Sequence, residues 1–288
     1  MHDLNYSIRQ VCLRNRDGSF GTRANRERML SQAADQLREF GFNQLKHVDQ
    51  LKAKHVHRLV EHWQQEAISV GTQKNRMSAL RWLSEKLGND SLVARSNDHY
   101  GIPDREYANK GDRSLEYAPD VLDRIEDPHV RASAELQKAF GLRREEAIKI
   151  RPQFADRGDK LVLKASWCKG NIEREIPIRT DEQRAALDRA HEVAGKQSLI
   201  PSQKSYIQQV KTFEYQMNKI GYGQSHGARH LYAQERYREL SDMDCPAKDG
   251  RSWKELNPVE KEISNGAREI VSRELGHERK AITNAYLT

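Results

Sequence analysis

The chain has 288 residues, enough for two domains of ordinary size. Its 49 Lys and Arg outnumber its 42 Asp and Glu, and the net charge of +7 is consistent with a polyanionic partner. Three widely separated cysteines without a CxxC spacing argue against a zinc ribbon or a disulfide framework. Without a long apolar run or a signal-like N-terminus, we expect a soluble, cytoplasmic protein.

Residues 1–95 have the pattern of a small helical domain. Apolar residues recur at helical spacing within 25–40, 54–67 and 72–87, with Thr72 as the N-cap of the third helix and Gly88 as its end. Charge alone does not separate a solvated face from a DNA-binding face on this third helix. The basic residues that we consider as DNA contacts are Lys74, Arg76, Arg81, Lys86 and, just beyond the helix, Arg95.

Residues 96–114 are polar, with isolated apolar positions, and predict an interdomain linker. Residues 115–288 predict a second, mostly helical domain with one small β-hairpin. The hairpin strands are expected at 161–167 and 172–178. The helices are expected at 121–125, 130–140, 143–150, 181–194, 206–220, 228–240 and 267–275. The fold class is therefore mostly α with a small β-hairpin.

Four short motifs follow one another along this second domain. They are GLRREE, with Arg143 and Glu146; CKGN at the hairpin tip, with Lys169; HGARH, with His226 and Arg229; and LGH followed nine residues later by a tyrosine, with His277 and Tyr286. Two arginines, two histidines and a tyrosine suit attack of a tyrosine hydroxyl on a phosphodiester, because guanidinium groups match phosphate oxygens.

These motifs, in this order, resemble the tyrosine recombinase (phage integrase) family over residues 115–288. The resemblance implies a two-domain DNA clamp, with residues 1–95 as the SAM-like core-binding domain and 115–288 as the catalytic domain. Two features depart from the family pattern. Arg229 and His277 are 48 residues apart, which predicts a polar surface insertion at about 241–266. Only Leu287 and Thr288 follow the tyrosine, so we expect this insertion to replace the usual tail helix in subunit contacts.

The resemblance also implies a role for each residue. Arg143 and Arg229 would hold the phosphate, and His226 and His277 would donate hydrogen bonds or move the nucleophile's proton. Tyr286 would form a 3′-phosphotyrosine. Lys169 would protonate the leaving 5′ oxygen, and Glu146 would orient a neighbour such as Arg143 or a histidine.

The function implied is site-specific recombination, such as integration or excision of a mobile element. The partners would be double-stranded DNA, a homotetramer that passes through a Holliday junction, and accessory DNA-bending or directionality factors. No cofactor or metal is expected, because the phosphotyrosine conserves the bond energy and no HExxH or P-loop motif is present.

Other interpretations of the same residues stay open. A tyrosine near a C-terminus is usually a packing residue, and Arg143 with Glu146 fits a simple i,i+3 helix pair. Lys160 and Lys164 compete with Lys169 for the hairpin role. The alternative functions are DNA relaxation of the type IB topoisomerase kind and a catalytically silent DNA-binding relative of integrases.

Overall fold

The computed structural model describes residues 3–105, 111–118, 120–223 and 226–288. It divides into two compact units, Met1–Glu106 and Tyr107–Thr288. Within the described residues, no helix combines the length and apolar character needed to cross a membrane.

The first unit is a four-helix assembly around Trp63, which is completely buried. Its helices are α1 (Asp3–Arg14), α2 (Phe20–Glu39), α3 (Ala53–Gln65) and α4 (Val70–Lys86). The last three correspond to the predicted helices, whereas α1 was not predicted, because Leu4 and Ile8 are its only buried apolar residues. The cap of α4 is Ser69, whose hydroxyl accepts from the Thr72 amide, so Thr72 lies inside the helix rather than at its cap.

The predicted linker begins inside the core of the first unit. Tyr100 and Ile102 are buried there, and Arg105 donates to the carbonyl oxygen of Gly71 at 2.7 Å. Two apolar residues in a polar stretch give no periodic pattern, which is why the boundary was placed at residue 95. Residues 106–110 of the predicted linker lie outside the described residues.

The second unit is mostly helical, with one two-stranded antiparallel sheet, and this confirms the predicted fold class. The strands pair Lys160 with Pro177 and Leu163 with Arg174, and the loop between them spans residues 164–173. The elements are α5 (Pro128–Phe140), α6 (Arg144–Lys149), α7 (Pro152–Ala155), β1 (Lys160–Leu163), β2 (Arg174–Pro177), α8 (Asp181–Ala194), α9 (Tyr206–Lys219), α10 (Gly227–Ser241), α11 (Pro258–Glu274) and α12 (Asn284–Leu287).

The segment 241–266 is more ordered than a surface loop. Cys245 and Leu256 are buried, and α11 begins at Pro258, capped by Asn257, rather than near residue 267. The segment therefore contains the first half of a long helix and two buried anchors. The sequence did not predict these features, because isolated apolar residues separated by charged ones do not form the periodic pattern of a buried helix face.

Gly141 joins α5 to α6 in a left-handed conformation with φ of +60°. A Cβ at this position would lie 2.7 Å from the ring of Tyr232. We expect Gly141→Ala to lower the free energy of unfolding by at least about 2 kcal/mol, because backbone strain and overpacking act together. Urea unfolding checks this. The control is Gly158→Ala, where φ is +87° and a Cβ meets open space; equal losses in both variants would contradict the predicted clash.

Candidate active site

Arg229, in the first turn of α10, is the centre of the site and has no exposed surface. Its Nη1 donates to the carbonyl oxygen of Gly141 at 2.6 Å, and its Nη2 donates to the carbonyl oxygen of Leu275. Nε donates to the hydroxyl of Tyr286 at 3.2 Å, and Nη2 lies 3.4 Å from Nε2 of His277. One guanidinium thus joins the α5–α6 turn, the end of α11 and the tyrosine.

Burial lowers the pKa of Arg229 to about 10, so the side chain stays protonated at neutral pH. A buried charge is tolerated only where hydrogen-bond acceptors replace its water. The two carbonyl oxygens and the hydroxyl supply those acceptors. The role of Arg229 as a phosphate ligand stays a prediction. The structure shows that this side chain connects three segments of the second unit.

Tyr286 lies on the short helix α12 and is only 6% exposed. Its hydroxyl is 3.1 Å from Nε2 of His277 as well as 3.2 Å from Nε of Arg229. Arg229 Nε can only donate, so the tyrosine oxygen accepts from it and the tyrosine proton points to His277. This polarity requires the His277 tautomer with its proton on Nδ1, an assignment that rests on the hydrogen-bond network.

His277 is neutral in this environment. Burial, then the charges of Arg229, Arg143 and Arg174, lower its pKa to about 3. Burial also lowers the pKa of His226, the N-cap residue of α10, and the charges of Arg229 and Arg143 lower it further. A neutral imidazole beside protonated guanidinium groups can accept a hydrogen bond, which a charged imidazole cannot.

His230, the last residue of the HGARH motif, lies against Tyr286, with 4.8 Å between ring centroids. The His226 ring is farther from that tyrosine ring, at 6.2 Å. Burial, followed by the nearby His226, lowers the pKa of His230 to about 4. The ring of His230 therefore forms one wall of the tyrosine pocket as a neutral group.

Arg143 and Glu146 form more than a surface helix pair. Glu146 is fully buried; its Oε2 accepts from the Arg143 amide at 2.6 Å and its Oε1 accepts from Arg143 Nη1 at 2.8 Å. The Arg143 side chain remains 19% exposed. The carboxylate thus caps α6 and orients a guanidinium that is still accessible.

Arg174, which the sequence analysis did not select, completes this cluster. Its Nη1 and Nη2 donate to the two carboxylate oxygens of Glu146, each at 2.8 Å, and its side chain is 4% exposed. A Cβ on Gly276 would lie 2.7 Å from Arg174 Nη1, so the Gly-His turn packs directly on this arginine. The signal was present, because alternation along β2 puts Arg174 on the same buried face as Ile176.

The charge of Glu146 is held by its partners. Burial would raise its pKa, but the hydrogen bonds from Arg174 and the charges of Arg174, Arg229 and Arg143 outweigh burial and bring the pKa to about 2. The carboxylate is therefore ionised throughout the physiological range. Three guanidinium groups surround one carboxylate, which leaves the pocket positively charged.

Lys169 lies exposed on the loop between β1 and β2. No hydrogen bond or ion pair joins it to another residue of the part of the chain that the structure describes. The two alternative lysines for the hairpin role both have partners. Lys160 pairs with Glu175 at 2.9 Å, and Lys164 Nζ lies 3.9 Å from the centroid of the Phe154 ring. The role of Lys169 stays a prediction.

Two of the predicted DNA contacts in the first unit have structural roles. Arg81 donates to the carbonyl oxygen of Ala94 at 2.9 Å and to Asn97 Oδ1 at 2.7 Å. Arg76 lies over the ring of Trp63, 5.2 Å from its centroid. Burial lowers the pKa of both guanidinium groups. Both arginines therefore have contacts within the first unit, and their binding to DNA stays a prediction.

The other three predicted contacts lie nearer the solvent. Lys74 pairs with Asp104 at 2.7 Å, Lys86 pairs with Glu85 at 2.9 Å, and Arg95 is exposed. Exposed pairs of this kind are weak and can be replaced by phosphate. DNA binding by these three residues stays a prediction.

The residues that the structure describes contain no group of three or more His, Cys, Asp and Glu side chains able to hold a metal ion. The site itself consists of guanidinium, imidazole and phenol groups around the Glu146 carboxylate. Such a cluster can hold an anion and activate a hydroxyl with its own side chains.

We expect Arg174→Met to lower the free energy of unfolding by about 3–5 kcal/mol, because it leaves the Glu146 carboxylate buried without its main partner. The double variant Arg174→Met with Glu146→Leu should recover most of this loss, since it removes both charges. Urea unfolding at neutral pH measures both. A double variant that is less stable than Arg174→Met would contradict this account of the buried pair.

Comparison with known proteins identifies the family of the chain. A family model described as "Phage integrase, N-terminal" matches residues 1–93, and one described as "Integrase" matches residues 108–235. Together they span more than three quarters of the chain, including the positions of Arg143, Glu146, Lys169, His226 and Arg229. A search of curated protein sequences found no match.

Solved structures share the fold at low sequence identity. The XerH site-specific recombinase bound to difH substrate is 14% identical, with a TM-score of 0.57 over 99% of this chain and 81% of that one. A lambda integrase dimer bound to a COC′ core site is 14% identical, with a TM-score of 0.63 over 99% and 95%. The Tn1549 transposon integrase with circular intermediate DNA is 13% identical, with a TM-score of 0.55 over 100% and 96%. The chain belongs to the tyrosine recombinase (phage integrase) family.

Proposed function

We propose that this chain is a site-specific DNA recombinase in which Tyr286 is the nucleophile. The observation that carries the proposal is the pair of contacts on its hydroxyl: Arg229 Nε donates to the oxygen at 3.2 Å, and His277 Nε2 lies 3.1 Å away to receive the proton. A tyrosine that only packed would not need a cation and a neutral imidazole on its hydroxyl. This arrangement suits activation of a weak nucleophile.

The proposed reaction needs no group beyond these side chains and DNA. The Tyr286 oxygen forms a bond to phosphorus, and the bond from phosphorus to the 5′ oxygen breaks. The tyrosine proton passes to His277 once the negative charge of the bound phosphate offsets the arginine charges that lower the pKa of that imidazole. Lys169 would give a proton to that leaving oxygen. The product is a 3′-phosphotyrosine and a free 5′ hydroxyl, and reversal with a second DNA end rejoins the strand.

The two predicted phosphate ligands differ in access. Arg143 is partly exposed and is held by Glu146, so its guanidinium can bind a phosphate oxygen without a movement of the protein. Arg229 is fully buried, and a phosphate can reach it only after Tyr286 or the Leu275–His277 turn moves. DNA binding would therefore exchange an internal partner of Arg229 for a phosphate oxygen. Each such donor is worth about 3–4 kcal/mol in the transition state.

Recombination is preferred over simple relaxation because the solved structures that share this fold are named as recombinases and integrases. One of them is a lambda integrase tetramer bound to a Holliday junction, at 13% identity and a TM-score of 0.59. We accordingly propose a homotetramer on two DNA duplexes, with integration or excision of a mobile element as its task. Accessory DNA-bending factors belong to the same proposal.

The test uses nicked suicide duplexes from the ends of the genomic element that carries the gene, without metal or ATP. We expect a covalent protein–DNA adduct on a denaturing gel from the unchanged chain and none from Tyr286→Phe, because only the hydroxyl is removed. Tyr215→Phe is the control, since Tyr215 is 65% exposed on α9 and lies outside the four motifs. Tight DNA binding without an adduct would favour the catalytically silent alternative. Relaxation of supercoiled DNA without dependence on a site would favour the topoisomerase alternative.

A further inference from the structure

The Asp112 carboxylate joins three segments of the second unit. Its Oδ1 accepts from Gln234 Nε2 at 2.9 Å, and its Oδ2 accepts from Lys248 Nζ at 2.8 Å. It also accepts from the amide and the hydroxyl of Ser114, each at 2.8 Å. Burial opposes ionisation, but the hydrogen bonds from Lys248, Ser114 and Gln234 hold the pKa of Asp112 well below its usual range. The carboxylate is therefore a fixed charged acceptor.

Gln234 connects this carboxylate to the proposed nucleophile. It lies on α10, is 3% exposed, and donates from Nε2 both to Asp112 and to the backbone carbonyl oxygen of Tyr286 at 3.1 Å. An amide nitrogen has two hydrogens, so these two acceptors use both of them and fix the orientation of the amide. Gln234 thus ties the backbone of Tyr286 to Asp112.

Lys248 brings the segment 241–266 into the same network. It ends the 3-10 turn Pro246–Lys248, which follows the buried Cys245 and packs against α12. The turn is tightly constrained: the amides of Lys248 and Gly250 both donate to the Cys245 carbonyl oxygen, and a Cβ on Gly250 would lie 1.9 Å from the carbonyl oxygen of Asp244. Lys248 is therefore presented by a rigid turn rather than by a loose loop.

We propose that Asp112, Gln234 and Lys248 are positioning residues for Tyr286, and that the segment 241–266 acts through them on the nucleophile of its own chain. The catalytic part of this inference rests on the proposed function. A single turn of helix such as α12 has little stability alone, so tertiary contacts must set its place. A nucleophile displaced by about 1 Å loses roughly 100-fold in rate.

The test compares Gln234→Met and Lys248→Met with two control variants. Lys248→Arg keeps the cation facing Asp112, and Arg251→Met removes an exposed partner of Glu260 in the same segment. We expect the first two variants to form the suicide adduct roughly 10- to 100-fold more slowly at saturating protein. Their Kd for DNA, measured by fluorescence anisotropy, should not change. Lys248→Arg and Arg251→Met should cleave like the unchanged chain.

Hydrogen–deuterium exchange provides a readout that does not depend on cleavage. Gln234→Met and Lys248→Met should speed exchange in the peptide 281–288, and the two controls should not. Unchanged exchange would overturn the proposal even if the chain does not cleave DNA. If the unchanged chain forms no adduct while exchange responds as expected, the proposed reaction fails and the positioning network stands. A parallel loss of DNA affinity and cleavage rate would overturn the positioning role in favour of a general structural one.

Mixing variants tests whether the segment acts within one chain. Lys248→Met retains the tyrosine, and Tyr286→Phe retains the segment. Action within one chain predicts that an equimolar mixture cleaves no faster than Lys248→Met alone. Restored cleavage in the mixture would overturn this part of the proposal and would favour a contact between subunits.

Discussion

The structure of the second unit depends on one constraint, the burial of the Arg229 charge. A guanidinium without exposed surface requires acceptors in fixed places, and here they come from Gly141, Leu275 and Tyr286. Gly141 is far from the other two residues in sequence. Satisfying a single side chain therefore brings the α5–α6 turn, the end of α11 and α12 together. The buried guanidinium therefore determines how the site is arranged.

A second layer of charge supports the first. Arg143 and Arg174 share the carboxylate of Glu146, and Gly276 packs on Arg174 because no side chain would fit there. With the histidines neutral, three guanidinium groups face one carboxylate, and the pocket carries excess positive charge. An anion would stabilise such a pocket, and the tyrosine hydroxyl contacts one of its guanidinium groups, that of Arg229. This contact supports the proposal that Tyr286 is the nucleophile.

The sequence predicted those parts of the molecule whose signal is local. Helical periodicity located α2, α3 and α4, and the motif order identified the residues that meet around Tyr286. Alternation along β2 indicates that Arg174 is buried, but its role depends on Glu146, which lies 28 residues away in sequence. Gln234 was missed for the same reason, since its partners are Asp112 and the backbone of the tyrosine.

The boundaries were predicted least well where burial is carried by isolated residues. Tyr100 and Ile102 extend the first core into a polar stretch, and Cys245 and Leu256 anchor a segment that its composition presents as a surface loop. In both segments, a few buried apolar side chains hold the backbone against the core, although most of the neighbouring residues are polar. Tertiary packing determines whether such segments are buried, and local sequence patterns do not predict it.

The central claim is that Tyr286, held by Arg229 and His277, is the residue that becomes joined to DNA. Tandem mass spectrometry of a trapped protein–DNA adduct, after nuclease and trypsin digestion, tests it most directly. Cleavage after Lys280 releases the peptide AITNAYLT. The account predicts the nucleotide mass on the tyrosine of that peptide. A nucleotide on a peptide containing Tyr232 or Tyr237 instead would contradict it.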